Sequence, residues 1–320
     1  MPAAKRNTST RTTGTTTSNG STPVASEADL RAALQEWYRA NGRHELPWRL
    51  TRDPYAVLVS EVMLQQTQVA RALPYYGRWM TRWPTLAALA ADSPAEAIRE
   101  WAGLGYNRRA LFLHRIACAC VERHEGGLPR SERELLALPG IGPYTARAVA
   151  CFALDEPTTP ADTNIARVIA RMQLGEFEHR TVARWRIDAA ARDLMVEAGA
   201  RDHNLALMDL GAMACTARNP ACERCPLSGA CNWFAKAETA PVAVRETAPA
   251  FATTARFARG RIVDALRGGP CTEDELGALL PEQHAQRLPK YLEALAGDRL
   301  IELQGEAWCL VGDSAVSLAP

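Results

Sequence analysis

From residue 27 onward, apolar residues recur at helical spacing almost without a break, interleaved with Ala, Arg and Glu. The pattern predicts helices over 27–41, 54–66, 68–81, 94–101, 107–124, 131–137, 143–153, 163–174, 182–197 and 203–215. Pro and Gly punctuate between them. No stretch before residue 235 alternates as a strand should, so this body is expected to be all-α. Residues 1–26 are rich in Thr, Ser and Gly and carry no apolar periodicity, which predicts a disordered tail. A second break, AKAETAPVAVRETAPAFATTA over 235–255, has Ala, Pro and Thr but few large apolar residues and is expected to be a linker. Beyond it, over 256–320, three short helical runs precede two strand-like runs, Arg299–Leu303 and Ala307–Val311, with Gly305 at the turn. That order suggests a winged-helix-like module.

Composition narrows the class only a little. The apolar and charged fractions, 47% and 23%, are those of a soluble globular protein. No apolar run reaches the ~20 residues of a membrane helix. The first residues lack a signal peptide's apolar core, so a cytoplasmic location is the default expectation. A net charge of +1 gives no global support to nucleic-acid binding, which must rest on local features.

Of nine cysteines, four cluster as C-x6-C-x2-C-x5-C: Cys215, Cys222, Cys225 and Cys231. Four thiolates at such spacing can close around one metal centre. Structural zinc with four cysteine ligands and a 4Fe–4S cluster both fit, and spacing does not separate them. The other five are scattered among apolar residues and read as small buried hydrophobes in a reducing compartment.

The stretch LPGIGPYTARAVA, 138–150, is a Gly-rich turn between a short helix and one beginning at Pro143. Gly140 and Gly142 permit close backbone approach, and the amides at a helix start attract an anion. This helix–hairpin–helix shape suits a DNA phosphate without reading sequence. A plain helical corner is the competing reading.

Two carboxylates stand in unusual places. On a helix Glu61 would have Val57, Leu58 and Leu64 beside it, so it projects from an apolar face. Burial keeps a carboxyl protonated and makes it a proton donor, unless an arginine pairs with it. Asp162 precedes a helix and reads as an N-cap. The same helix-end amides would hold it ionised, ready to face a developing cation. One protonated and one ionised carboxyl is the pairing that cleaves glycosidic bonds. Tyr144 would lie at the hairpin mouth within reach of Glu61, and Asn164 could orient a water or a carboxylate.

Taken together, the hairpin, the aspartate after it and the cysteine spacing resemble the helix–hairpin–helix DNA glycosylases. The stretches LPWR (46–49), SEVMLQQTQV (60–69), GLGY (103–106) and MDLGAMACT (208–216) are similar to the adenine DNA glycosylases of the MutY family. The resemblance covers about residues 28–234 and implies two helical subdomains with the active-site cleft between them. It also implies a 4Fe–4S cluster on the four cysteines. The substrate it implies is duplex DNA with adenine opposite 8-oxoguanine or guanine, bound by a monomer that flips the adenine out. Glu61 would protonate the base and help activate water, and Asp162 would stabilise the oxocarbenium ion. Tyr144 and Asn164 would assist these two, and Gly140 and Gly142 would meet the backbone. Gln66 and Tyr106 would probe the stack near the opposing base, and Trp48 and Arg49 would line the adenine pocket. Relatives resembling endonuclease III have lysine where Tyr144 stands, so strand cleavage through a Schiff base is not expected. Leu205, after Asn204, departs from the family's polar residue at that place. The segment 256–320 does not read as the β-rich, Nudix-like domain with which typical members end. A G·T-mismatch thymine glycosylase and a non-catalytic iron–sulfur DNA-binding protein are the two alternatives.

Overall fold

A computed structural model describes residues 26–194, 198–236 and 250–313. The predicted tail falls outside the described residues except Ser26, which caps the first helix with its hydroxyl on the Asp29 amide. The body is helical throughout, as its periodicity requires: α1 (Glu27–Asn41), α2 (Pro54–Leu64), α3 (Val69–Arg82), α4 (Leu86–Ala91), α5 (Pro94–Glu100) and α6 (Arg108–Arg123). It continues with α7 (Glu132–Leu136), α8 (Pro143–Leu154), α9 (Thr163–Met172), α10 (Arg184–Asp193), α11 (Ala200–Met213) and α12 (Asn232–Ala235). The short α4 escaped the periodicity, because its LAALAA sequence is apolar or small on every side. The helix expected over 54–66 stops at Leu64: Gln66 lies in the left-handed region, φ +56°, which no helix accommodates. Of the run 182–197, residues 195–197 lie outside the described residues, and α10 spans only Arg184–Asp193.

The helices sort into two groups. In one, α2 packs on α3 and α6, and α6 packs on α4 and α5. In the other, α11 packs on α1 and α9, and α9 on α10 and α12. Helix α8 touches both, meeting α2 on one side and α11 on the other. The first group is built around fully buried Trp79, whose ring lies edge-on to Trp83 and Trp101 with centroids 4.7 and 5.4 Å away. Its indole N–H donates to the Tyr55 hydroxyl at 3.0 Å, and that hydroxyl donates to the Trp83 carbonyl at 3.0 Å. Each such aromatic pair adds about 0.5–1.5 kcal/mol beyond burial of its area, so this core is a firm base for α2.

The C-terminal body comprises α13 (Ala255–Leu266), α14 (Glu273–Ala278), α15 (Glu282–Ala285) and α16 (Leu288–Gly297). With them goes an antiparallel sheet of β1 (Cys271–Thr272), β2 (Ile301–Gln304) and β3 (Ala307–Leu310), ordered β1-β3-β2. Helices followed by a hairpin are the winged-helix-like order expected, with β1 as an added strand too short for alternation to reveal. The expected linker shrinks at its far end. Phe251–Thr253 forms a 3-10 turn, Phe251 packs edge-on against Phe257 at 5.8 Å, and Thr254 caps α13. Phe251 in the turn and Phe257 in α13 supply the apolar anchor that the sequence before them lacks. No helix among the described residues is long and apolar enough to cross a membrane.

Candidate active site

Helix α2 is apolar on nearly all sides, and Glu61 sits in it only 7% exposed. Burial pushes its carboxyl up to about 7, further raised by Asp162, while a hydrogen bond from Tyr144 and the charge of Arg49 pull the other way. The Tyr144 hydroxyl donates to Glu61 Oε2 at 2.6 Å. Burial and the neighbouring carboxylates hold the Tyr144 phenol well above its usual range, so it remains a donor. The hairpin delivers it there. Gly140 takes φ +81°, and a side chain on it would meet the Phe112 ring at 2.6 Å. Gly142 is the N-cap of α8 with Pro143 in the first turn, and no side chain caps the helix, so the amide end faces outward.

Asp162 is indeed the N-cap of α9. Its Oδ1 accepts from the Asn164 and Ile165 amides at 2.9 and 2.7 Å, and its Oδ2 accepts from Asn164 Nδ2 at 2.8 Å. The amides lower its pKa as expected, but burial outweighs them and the net direction is upward. Asn164 therefore orients a carboxylate. Its own oxygen accepts from Arg167 Nη2 at 2.9 Å, and Arg167 Nε donates to the Cys215 carbonyl at 2.7 Å. Helix α11 crosses here at Gly211, where a side chain would lie 2.7 Å from the Asn164 Cβ and carbonyl oxygen. The glycine of MDLGAMACT thus leaves room for the pair that holds Asp162.

Trp48 and Arg49 stand on a 3-10 turn, Pro47–Arg49, packed on α2. Arg49 grips Asp209 with two bonds, Nη1 to Oδ2 at 2.5 Å and Nη2 to Oδ1 at 2.7 Å, and Arg43 adds a 2.8 Å bond from Nε. Asp209 is fully buried, a site residue the sequence reading passed over although it stands inside MDLGAMACT. Trp48 is buried edge-on against Tyr76 at 5.2 Å. Leu205 is buried too, while Asn204 donates to the Ala200 and Thr158 carbonyls at 2.9 and 3.0 Å.

Arg109 was also missed. It is buried, and burial lowers its guanidinium to about 10. Its Nη1 donates to the carbonyls of Val62, Met63 and Gln65 at 3.0, 2.9 and 2.7 Å, its Nη2 to those of Leu104 and Gly105 at 3.3 and 2.9 Å. One side chain so joins the end of the Glu61 helix to the GLGY loop. The residues just after the gripped carbonyls, Gln66 and Tyr106, both take left-handed backbone, φ +56° and +51°. For non-glycine residues this costs of order 1–3 kcal/mol and concentrates at functional positions. Tyr106 is 38% exposed. A cavity of about 680 Å³ between α7, α8 and α10 stands apart from all these groups; in it Arg147 pairs with Glu132 and Asp188.

Cys215, Cys222, Cys225 and Cys231 form no disulfide and line one small cavity with Arg171 and Trp233. Arg171 ties the loop down, donating to the Thr216 and Ala217 carbonyls at 2.7 and 2.9 Å and to Cys215 Sγ at 3.4 Å. A single tetrahedral zinc needs its sulfurs about 3.8 Å apart. Among the described residues no three His, Cys, Asp or Glu side chains converge closely enough for one ion. Four thiols around one cavity fit a 4Fe–4S cluster, which takes one thiolate on each iron.

A Gly-rich hairpin before a Tyr–Glu pair, a capped aspartate and a four-cysteine loop define a helix–hairpin–helix base-excision glycosylase. Residues 59–184 match the HhH-GPD superfamily of base excision DNA repair proteins, and residues 215–231 match the iron–sulfur binding domain of endonuclease III. The protein is accordingly a 4Fe–4S protein. Among solved structures, a thermostable thymine-DNA glycosylase superposes with TM-score 0.60 at 29% identity, covering 66% of this chain and 97% of that one. A trapped endonuclease III–DNA covalent intermediate shares the fold, with TM-score 0.55 at 22% identity over 67% of this chain and 99% of that one. The chain belongs to the adenine DNA glycosylase family. It is 41% identical to the adenine DNA glycosylase of Mycolicibacterium smegmatis over 84% of this chain and 91% of that protein. It is 42% identical to the human adenine DNA glycosylase over 65% of this chain and 40% of that longer protein.

Proposed function

We propose that this enzyme is a base-excision-repair hydrolase that removes adenine mispaired with 8-oxoguanine or guanine and leaves an abasic site. The observation that carries the reading is the 2.6 Å bond from Tyr144 to a Glu61 whose carboxyl titrates near 7, beside the capped Asp162. A carboxyl poised there is half protonated at neutral pH and can give a proton to the base and then take one from water. Asp162, fixed by two amides and Asn164, faces the cation that develops on the sugar. Gly140 and Gly142 offer hairpin amides to a phosphate of the flipped nucleotide. Trp48 and Arg49 line the adenine pocket, with Arg49 kept in place by Asp209. Gln66 and Tyr106 face the opposing base. Cys215, Cys222, Cys225 and Cys231 would hold the cluster, which would stiffen their loop. Residues 27–234 are the catalytic domain, the chain acts as a monomer, and its compartment is the cytoplasm.

Tyrosine at 144 supports a single activity, because a phenol cannot form the Schiff base that cuts the strand. The test is single-turnover excision on four duplexes: adenine opposite 8-oxoguanine, guanine and thymine, and thymine opposite guanine. Alkali-dependent cutting of the adenine strand in the first two is expected. Cutting only at G·T would transfer the protein to the thymine glycosylases. Binding without cutting would leave a DNA-binding iron–sulfur protein.

A further inference from the structure

The C-terminal body is fastened beside the GLGY loop. Arg99 Nη2 meets Asp313 Oδ2 at 2.5 Å and its Nε donates to the Arg267 carbonyl at 3.2 Å. Arg267 returns bonds to the Ile98 carbonyl at 3.1 Å and to Asn107 Oδ1 at 2.9 Å, and Arg108 pairs with Asp298 at 3.1 Å. This brings the first turn of α13 over Tyr106. The Arg256 guanidinium lies 3.8 Å from the Tyr106 ring centroid, and its Nη1 donates to the Tyr106 hydroxyl at 2.7 Å. A side chain on Gly105 would come within 3.4 Å of Arg256 Nη2, so the arginine lies flush on the loop. Among the described residues no carboxylate pairs with Arg256.

Helices α14 and α16 of the module offer duplex DNA little. In a winged helix the third helix ordinarily enters the groove. Here α16 exposes Pro289, Lys290, Glu293 and Ala294, and α14 opens with Glu273, Asp274 and Glu275. These faces are neutral or acidic and do not attract phosphate. Arg256 is the module's arginine seated on Tyr106, a strained residue on the loop that Arg109 joins to the Glu61 helix.

We propose that Arg256 is a specificity-determining positioning residue: by holding Tyr106, it lets the C-terminal module set how strongly excision depends on the base opposite adenine. The proposal rests on the reading of Tyr106 as an opposing-base contact. A planar guanidinium both stacks on a phenol ring and bonds its hydroxyl, which an ammonium cannot do together. A charge acting only on phosphate would make no such distinction.

Single-turnover excision opposite 8-oxoguanine and opposite guanine tests this with wild type, Tyr106→Ala, Arg256→Ala, Arg256→Lys and the Tyr106→Ala/Arg256→Ala double variant. Wild type and Tyr106→Ala test the underlying reading: no adenine excision, or a rate ratio that Tyr106→Ala leaves unchanged, removes the ground beneath the proposal. Given that ground, Arg256→Ala is expected to shrink the 8-oxoguanine-to-guanine rate ratio about fivefold, in line with loss of a cation–π contact. Arg256→Lys should do nearly the same, and the double variant should match Tyr106→Ala. An unchanged ratio in Arg256→Ala overturns the proposal. So does an equal loss on both duplexes that lysine restores, with a salt dependence of binding shallower by about one charge, since that is an ordinary phosphate contact.

Discussion

The Tyr144 hydroxyl reaches across from α8 to α2 and donates a 2.6 Å hydrogen bond to Glu61 Oε2. That bond favours the charged carboxylate while burial favours the neutral acid, and burial wins, putting Glu61 at about 7. A general acid must hold its proton, so the single-turnover rate is expected to fall as pH rises through about 7. Tyr144→Phe removes an influence that lowers the pKa, so the descending limb should move to higher pH. Glu61→Gln should abolish both the limb and the excision. A Tyr144→Phe profile that stays put or moves to lower pH would contradict this assignment.

Asparagine caps helices about as well as aspartate. Asp162→Asn should therefore keep α9 and its melting temperature while removing the negative charge proposed to face the sugar. Mismatch binding is expected to survive, and excision to fall by roughly two orders of magnitude or more, the scale of losing a key electrostatic group. Near-normal turnover would reduce Asp162 to a helix cap.

Asp209 has no solvent exposure and two arginines on it. Burial alone would raise its pKa, but the bonds and charge of Arg49, helped by Arg43, hold it below the usual carboxylate range. Its contribution to stability is thus complete above the unfolded-state pKa of about 4 and is lost as pH falls through the folded value. Asp209→Ala leaves Arg49 buried without its counter-charge and should cost about 3–5 kcal/mol. A denaturant midpoint within experimental error of wild type would show that Arg49 finds another partner.

Tyr144→Lys puts a primary amine where the phenol meets the cleft. An abasic sugar aldehyde should then condense with it, giving a Schiff base that borohydride fixes as a protein–DNA crosslink. The wild-type chain is expected to give little or none. If the lysine variant traps no DNA either, residue 144 does not reach the reacting sugar.

Arg167 bonds both Asn164 Oδ1 and the Cys215 carbonyl, so it links the aspartate's holder to the cysteine loop. Arg167→Ala should free Asn164 and let Asp162 drift, slowing excision roughly tenfold to a hundredfold, as small misplacements do. Iron content should be unchanged, because Arg171 still ties the loop down. Iron lost together with activity would mean that the residue serves the cluster first.

Much of this was legible in residue order. The helical period gave nearly every helix, since an amphipathic stripe must be buried against a neighbour. Glu61 stood out because a carboxylate amid Val57, Leu58 and Leu64 has nowhere polar to go. What stayed hidden was long-range. Arg109 and Asp209 read as ordinary charged residues within helices, and only the fold shows that one grips two loops and the other anchors Arg49. The left-handed backbone at Gln66 and Tyr106 was equally invisible, because neither residue type favours it. Asp162 shows a balance that spacing cannot weigh: the amides were foreseen, the burial that outdoes them was not. The four-residue α15 went unseen inside a three-helix order, since so short a helix carries too few turns to show a period.

The five carbonyls that Arg109 gathers belong to two stretches more than thirty-five residues apart in sequence, 62–65 and 104–105. A shift of about an ångström in either stretch lengthens bonds shared with the other beyond the range in which they hold. On the proposed roles of Tyr106 and Glu61, a poorly seated partner base and a displaced acid would be one and the same error. Such an enzyme would weigh a base pair by its fit before any proton moves, with one guanidinium as the fulcrum.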